Sequence, residues 1–191
     1  FQRAISFDGR KRVVYHGLDP LKSKSESLNK IGLSDYILCV SDFYSHKNFE
    51  VLIKAYCALS QDIKNRYKLV FVGGFVNKYY HGKIIKMIND NNINDKVILT
   101  GKVGFEEVFI YYKYSKVFIM PSILETFGIP IIEAAQHGIP LLLAKSACLP
   151  EIGGKHAQYF DVHDHLYLKK LITKMLTQDE LYKEQSKESF K

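Results

Sequence analysis

The stretch that decides the fold runs Val117-Phe-Ile-Met120-Pro-Ser-Ile-Leu-Glu125-Thr-Phe-Gly128-Ile-Pro130-Ile-Ile-Glu133-Ala-Ala-Gln-His-Gly138-Ile-Pro140-Leu141-Leu-Leu143. It opens on a short, continuous apolar run, the pattern of a strand buried on both faces. A loop with one glutamate follows. A helix then starts near Pro130, a residue suited to a first helical turn, and stops at Gly138. Leu141-Leu-Leu143 is a second apolar run. Strand, helix, strand is the unit from which parallel sheets are built.

Working outward, the same alternation continues. Apolar runs at Tyr36-Ile-Leu-Cys-Val40, Leu69-Val-Phe-Val72 and Val97-Ile-Leu99 predict three more strands. Phe49, Leu52, Ile53 and Tyr56 fall at helical spacing after Asn48, an expected N-cap. Lys83 to Asn91 reads as a helix with Ile84, Ile85 and Ile88 inward. Phe105, Val108, Phe109 and Tyr112 mark another, and Leu168, Leu171, Ile172 and Met175 a last one. The expectation is an α/β fold: a Rossmann-like parallel sheet with helices on both faces, spanning residues 35–176 as one domain. Residues 177–191 read as a helical, charged tail. Residues 1–34 differ. Val13-Val-Tyr15 is a candidate strand, but the polar run Lys22 to Lys30 reads as a loop, so the segment is expected to be a linker.

Composition bounds the partners. The chain has 191 residues, of which 47% are hydrophobic and 25% charged, which excludes disordered and low-complexity classes. Lys+Arg 27 against Asp+Glu 20 gives +7, a balance that permits an anionic partner without selecting one. The lysines are scattered and no nucleic-acid motif is present, so no nucleic-acid partner is expected. Cys39, Cys57 and Cys148 form no C-x-x-C pair, which argues against a disulfide or zinc scaffold and for a reducing, cytoplasmic setting. No run approaches the roughly 18 apolar residues of a spanning helix.

Ligands of open parallel sheets bind beyond the carboxyl ends of the strands. After the first strand comes Ser41-Asp-Phe-Tyr-Ser-His-Lys47-Asn48, a lysine at a helix start and a natural anion site. After the second comes Gly73-Gly74, able to let backbone approach a ligand. Neither G-x-G-x-x-G nor a P-loop occurs, which weakens dinucleotide and NTPase readings. In the quoted stretch, the N–H groups of Phe127, Gly128 and Ile129 suit a sugar hydroxyl or phosphate oxygen. Ionised Glu125 accepts from sugar hydroxyls and repels phosphate, and Glu133 suits the two hydroxyls of a ribose. Asp161-Val-His163-Asp-His165 reads as a polar turn capping the last helix rather than a metal site. Tyr111, Tyr112 and Tyr114 read as core packing. His81, placed in a loop, and His137, on the short helix, have no evident partner.

The string Ser-x-x-Glu-x-Phe-Gly-x-Pro-x-x-Glu-Ala-x-x-x-Gly-x-Pro, from Ser122 to Pro140, resembles the signature of family 4 retaining glycosyltransferases. Those enzymes have the GT-B fold, two facing Rossmann-like domains, of which this chain would be one half. The resemblance extends to Ser41–Asn48, Leu69–Gly74, Val97–Val103 and Leu149-Pro150-Glu151. It implies that Glu125 and Lys47 are the catalytic pair, with Glu125 on the donor sugar and Lys47 on the departing diphosphate. Ser41, Gly73, Gly74 and the backbone of Phe127, Gly128 and Ile129 would complete the donor site. The backbone at Lys102 and Val103 would read the base, and Glu133 would hold the ribose. One departure stands out. The family's glycine–arginine pair is Ser41-Asp42 here, so a phosphate-binding arginine is missing.

The function so implied is donor binding, of a nucleotide-diphosphate sugar, within a retaining enzyme. Its acceptor would be a glycan or lipid-linked molecule in cell-surface polysaccharide or lipopolysaccharide synthesis. No cofactor and no metal are expected, as there is no D-x-D signature. Residues 1–34 would be what remains here of an N-terminal acceptor domain, and without that domain the chain is expected to be inactive. Contact with an anionic membrane at the inner face of the cytoplasmic membrane would use the excess charge. The alternative is a non-catalytic nucleotide-sugar-binding module or degenerate homologue.

Overall fold

The computed structural model describes residues 35–178. The readings made for residues 1–34, and for the tail beyond Gln178, lie outside the described residues. Among the described residues six strands form one sheet: β1 (Tyr36–Val40), β2 (Leu69–Val72), β3 (Val97–Leu99), β4 (Ser115–Met120), β5 (Leu141–Ala144) and β6 (Ala157–Phe160). Their order is β3-β2-β1-β4-β5-β6 and every pairing is parallel. β1 and β2 pair in register from Ile37 with Leu69 to Val40 with Val72.

Among the described residues seven α-helices cover the sheet: α1 (Phe49–Cys57), α2 (Gln61–Arg66), α3 (Lys78–Asp90), α4 (Phe105–Lys113), α5 (Ile129–Gln136), α6 (Leu149–Gly153) and α7 (His165–Thr177). α1 packs on α3 and α7, while α5 packs on α4 and α6, so the helices form two layers. Because both faces are covered, the residues of β2 and β5 are buried without alternation. Ile37, Leu38, Phe71, Phe118 and Leu142 are fully buried at the centre. No described helix is long and apolar enough to cross a membrane.

The five strands read from the sequence are present, with β4 starting two residues earlier than the Val117 run. β6 carries only Ala-Gln-Tyr-Phe at the sheet edge, with no apolar run to announce it. The short α2 and α6 likewise span fewer than two full turns and leave no period to count. α3 starts at Lys78 rather than Lys83, because the Asn77 side chain accepts from the Tyr80 N–H and caps it there. His81 therefore sits in α3, not in a loop, stacked on Phe75 with ring centroids 4.0 Å apart.

Phe105, the first of the four apolar residues that mark α4, is 74% exposed, since it opens the helix at the carboxyl-end edge of the sheet. Asn48 does occupy the N-cap position of α1, yet its backbone is left-handed and its side chain makes no cap. Asp164, in contrast, caps α7 through the Tyr167 N–H, as the polar-turn reading expected.

Candidate functional site

β1 and β4 are hydrogen-bonded neighbours, and their chains leave toward opposite helix layers through α1 and α5. That divergence opens a crevice beyond the strand ends, the place where such sheets bind ligands. A cavity of about 500 Å³ lies there. Its lining includes seven of the expected residues: Ser41, Lys47, Gly73, Gly74, Lys102, Val103 and Glu133. Asp42 lines it as well.

Glu125 and Phe127 to Ile129 are outside that lining, and Glu125 meets it through Lys47. The Lys47 Nζ donates to Glu125 Oε1 at 2.7 Å, joining residues 78 apart in sequence. The two side chains are only 15% and 10% exposed. The Ser122 hydroxyl donates to the same Oε1 at 2.8 Å. Glu125 is thus held by two donors, an arrangement that orients a carboxylate rather than leaving it free to attack. Beneath the pair, burial pushes the Cys39 thiol far above its ordinary range, with Lys47 lowering and Glu125 raising it by less. Cys39 is therefore no nucleophile.

The Asn48 side chain explains how the two loops are fixed. Its Nδ2 donates to Pro121 O at 3.1 Å and Val162 O at 2.8 Å. The Ile123 N–H also donates to His46 O at 2.8 Å. The loop after β1 is thereby tied to the loops after β4 and β6. A left-handed turn at Asn48, φ 54°, is what aims the amide across the crevice instead of down α1.

The loops after β1, β2 and β3 are stitched in a similar way. The Gly73 N–H donates to Gly101 O, and the Phe43 N–H to Gly74 O. A Cβ on Gly73 would lie 2.1 Å from Ser41 O, so no side chain fits. The Asp42 carboxylate accepts from the Gly74 N–H at 2.6 Å. Position 42 is thus occupied by a loop brace, where the resemblance had an arginine. Gly128 precedes α5 with φ +82°, and a Cβ there would come to 3.0 Å of the Ile131 side chain. The Ile131 N–H pairs with Gly128 O, leaving the Ile129 N–H ahead of the ladder.

Glu133 enters the cavity from α5, and the Tyr112 hydroxyl donates to its Oε2 at 2.8 Å. Burial, then the Glu133 charge and hydrogen bond, push the Tyr112 phenol well above its ordinary range, so it stays a donor. Sequence reasoning missed this role. Helical spacing announces a buried ring correctly, but nothing in it says where a hydroxyl points. Ser122 and Asp42 were missed for the same reason. His137 also has a partner: its Nδ1 lies 2.8 Å from Glu133 O, and its ring stacks on Tyr112 and Phe109.

The parallel order, with a cavity at its switch point, defines a Rossmann-like α/β domain. The chain belongs to the group 1 glycosyl transferases, whose family model matches residues 22–191. It is 29% identical over 158 residues to the serotype-specific mannosyltransferase WbdA of Escherichia coli, covering 82% of this chain but only 19% of that protein. Among solved structures it resembles the C-terminal domain of the group 1 glycosyl transferase LpcC of Francisella tularensis. The TM-score is 0.74 at 12% identity, over 92% of this chain and 91% of that one. It also resembles Anabaena Alr3699/HepE in complex with UDP and glucose, with TM-score 0.73 and 16% identity over 84% of this chain and 44% of that one.

Proposed function

We propose that this chain is the donor-binding half of a retaining glycosyltransferase that acts in cell-surface polysaccharide synthesis. The observation that carries the reading is the Lys47–Glu125 pair at the β1/β4 switch point, beside a cavity that Glu133 enters. The cavity suits a nucleoside diphosphate: Glu133 faces the ribose, and the glycine-lined β1 and β2 loops admit the phosphates. A neighbour in fold holds UDP and glucose, and a relative in sequence is a mannosyltransferase, which supports a hexose donor.

As the bond from the anomeric carbon to the phosphate oxygen breaks, negative charge accumulates on the diphosphate. Lys47 stabilises that charge as a fixed cation in place of a metal. Glu125 orients the sugar through its hydroxyls, and no covalent sugar–enzyme bond is invoked. Retention follows if the acceptor hydroxyl attacks from the face the diphosphate leaves, its proton passing to the departing phosphate oxygen. The acceptor, a glycan or lipid-linked hydroxyl, is held by a second domain.

A thermal-shift screen of nucleotide sugars tests the site. At least one is expected to raise the melting temperature of the chain, and Glu133→Ala to remove most of that rise. A stabilising ligand indifferent to Glu133→Ala would take the ribose role away from Glu133.

A further inference from the structure

The cavity described above has four formally charged groups in its lining: Asp42, Lys47, Lys102 and Glu133. Their formal charges cancel, so which cation is free to meet a diphosphate matters more than the sum. Three of the four are also engaged. Asp42 braces Gly74, Lys47 is ion-paired with Glu125, and Glu133 receives the Tyr112 hydroxyl. Lys102 differs, since among the described residues it makes no ion pair and no side-chain hydrogen bond.

Its place in the fold matters as much. Lys102 follows β3 directly after Gly101, whose carbonyl is tied to the Gly73 N–H at 3.1 Å. A Cβ built on Gly74 would lie 3.8 Å from the Lys102 Cβ and 3.2 Å from Asp42 Oδ1. The root of the lysine therefore stands beside the glycine that Asp42 braces, on the cavity wall. From there a flexible four-carbon stem is long enough for its ammonium to reach a ligand in the cavity.

The geometry points to Lys102 as the second phosphate-binding cation of the donor site, its side chain supplying the charge that Asp42 cannot. The inference rests on the donor-binding reading above and deepens it. The main chain of Lys102 stays with the base, and the ammonium goes to the diphosphate. Lys47 is shared with Glu125, so a diphosphate arriving in the cavity finds its uncommitted charge on Lys102. Asp42 keeps the loop in shape, and Lys102 offsets its repulsion of the ligand.

Calorimetric titration of the 191-residue chain with UDP, GDP, CDP and ADP, and with the four parent nucleosides, provides the test. Lys102 is exposed, so Lys102→Met and Lys102→Arg are expected to fold as the parent does, checked by melting. Lys102→Met is expected to weaken the preferred diphosphate by roughly tenfold or more, the scale of a charge-assisted hydrogen bond. Lys102→Arg is expected to bind close to the parent, and nucleoside affinity to stay unchanged in both.

Unchanged diphosphate affinity in Lys102→Met would overturn the role of Lys102 while leaving the donor-binding reading intact. Equal losses for nucleoside and diphosphate would overturn it too, by showing a base contact instead. A parent chain that binds none of the four diphosphates would sink the donor-binding reading, and this inference with it.

Discussion

Lys47 and Glu125 are both largely withdrawn from water, so each side chain depends on the other to justify its charge. Lys47→Met would leave Glu125 with the Ser122 hydroxyl as its remaining side-chain donor, and Glu125→Gln would leave Lys47 without its carboxylate. Each single change is expected to cost about 2 kcal/mol in urea unfolding. The double variant is expected to cost clearly less than the sum, because no orphaned charge then remains. Additive losses would show that the two residues stabilise the fold independently. At this scale the sequence was legible by residue type: lysine at a helix start and glutamate in a strand-end loop are readable as candidates. Which donor each carboxylate receives was not legible. Asp42 turned out to accept a backbone N–H, and Glu133 a phenol, because hydrogen-bond partners are set by approach of distant segments.

At the scale of elements, the contact between α4 and α5 centres on His137. Its ring lies against Phe109 and Tyr112 of α4, and the groups facing it that can carry charge are Tyr112 and Glu133. Burial lowers the His137 pKa below its ordinary 6.5, while the Glu133 carbonyl and carboxylate raise it by less. The folded chain thus resists protonation at a pH where the unfolded chain accepts it. The stability His137 contributes is complete above pH 6.5 and is lost as pH falls toward the lower folded value. Urea midpoints are therefore expected to fall on acidification from about pH 7.5 to about pH 5.5, and less steeply in His137→Gln. Identical slopes in parent and variant would remove His137 as the cause. Elements themselves were legible wherever a run was long enough to show a period, as in α1, α4, α5 and α7. The edge strand β6 was not, since Ala-Gln-Tyr-Phe is no continuous apolar run, nor were α2 and α6, whose six and five residues hold too little helical period.

For the whole molecule, the chain spans about a fifth of the mannosyltransferase it resembles in sequence, and nearly all of one solved C-terminal domain. On the division of labour proposed above, this chain is expected to bind a donor and not to transfer. The purified chain should therefore show nucleotide binding in calorimetry but no sugar transfer to added glycan or lipid-linked acceptor. Robust transfer by the chain alone would refute the division of labour proposed above. Alternating buried strands and amphipathic helices were determined by the sequence itself, because hydrophobic period is a local property. The family followed from Ser122–Pro140, whose fixed positions lie within one strand–loop–helix unit. What only the tertiary structure decided is the company each side chain keeps. Lys47 meets Glu125 across 78 residues, Asn48 ties three loops, and Lys102 stands beside Gly74 with no side-chain partner among the described residues. Those juxtapositions arise when a parallel sheet brings separate strand ends to one edge, and no local pattern encodes them.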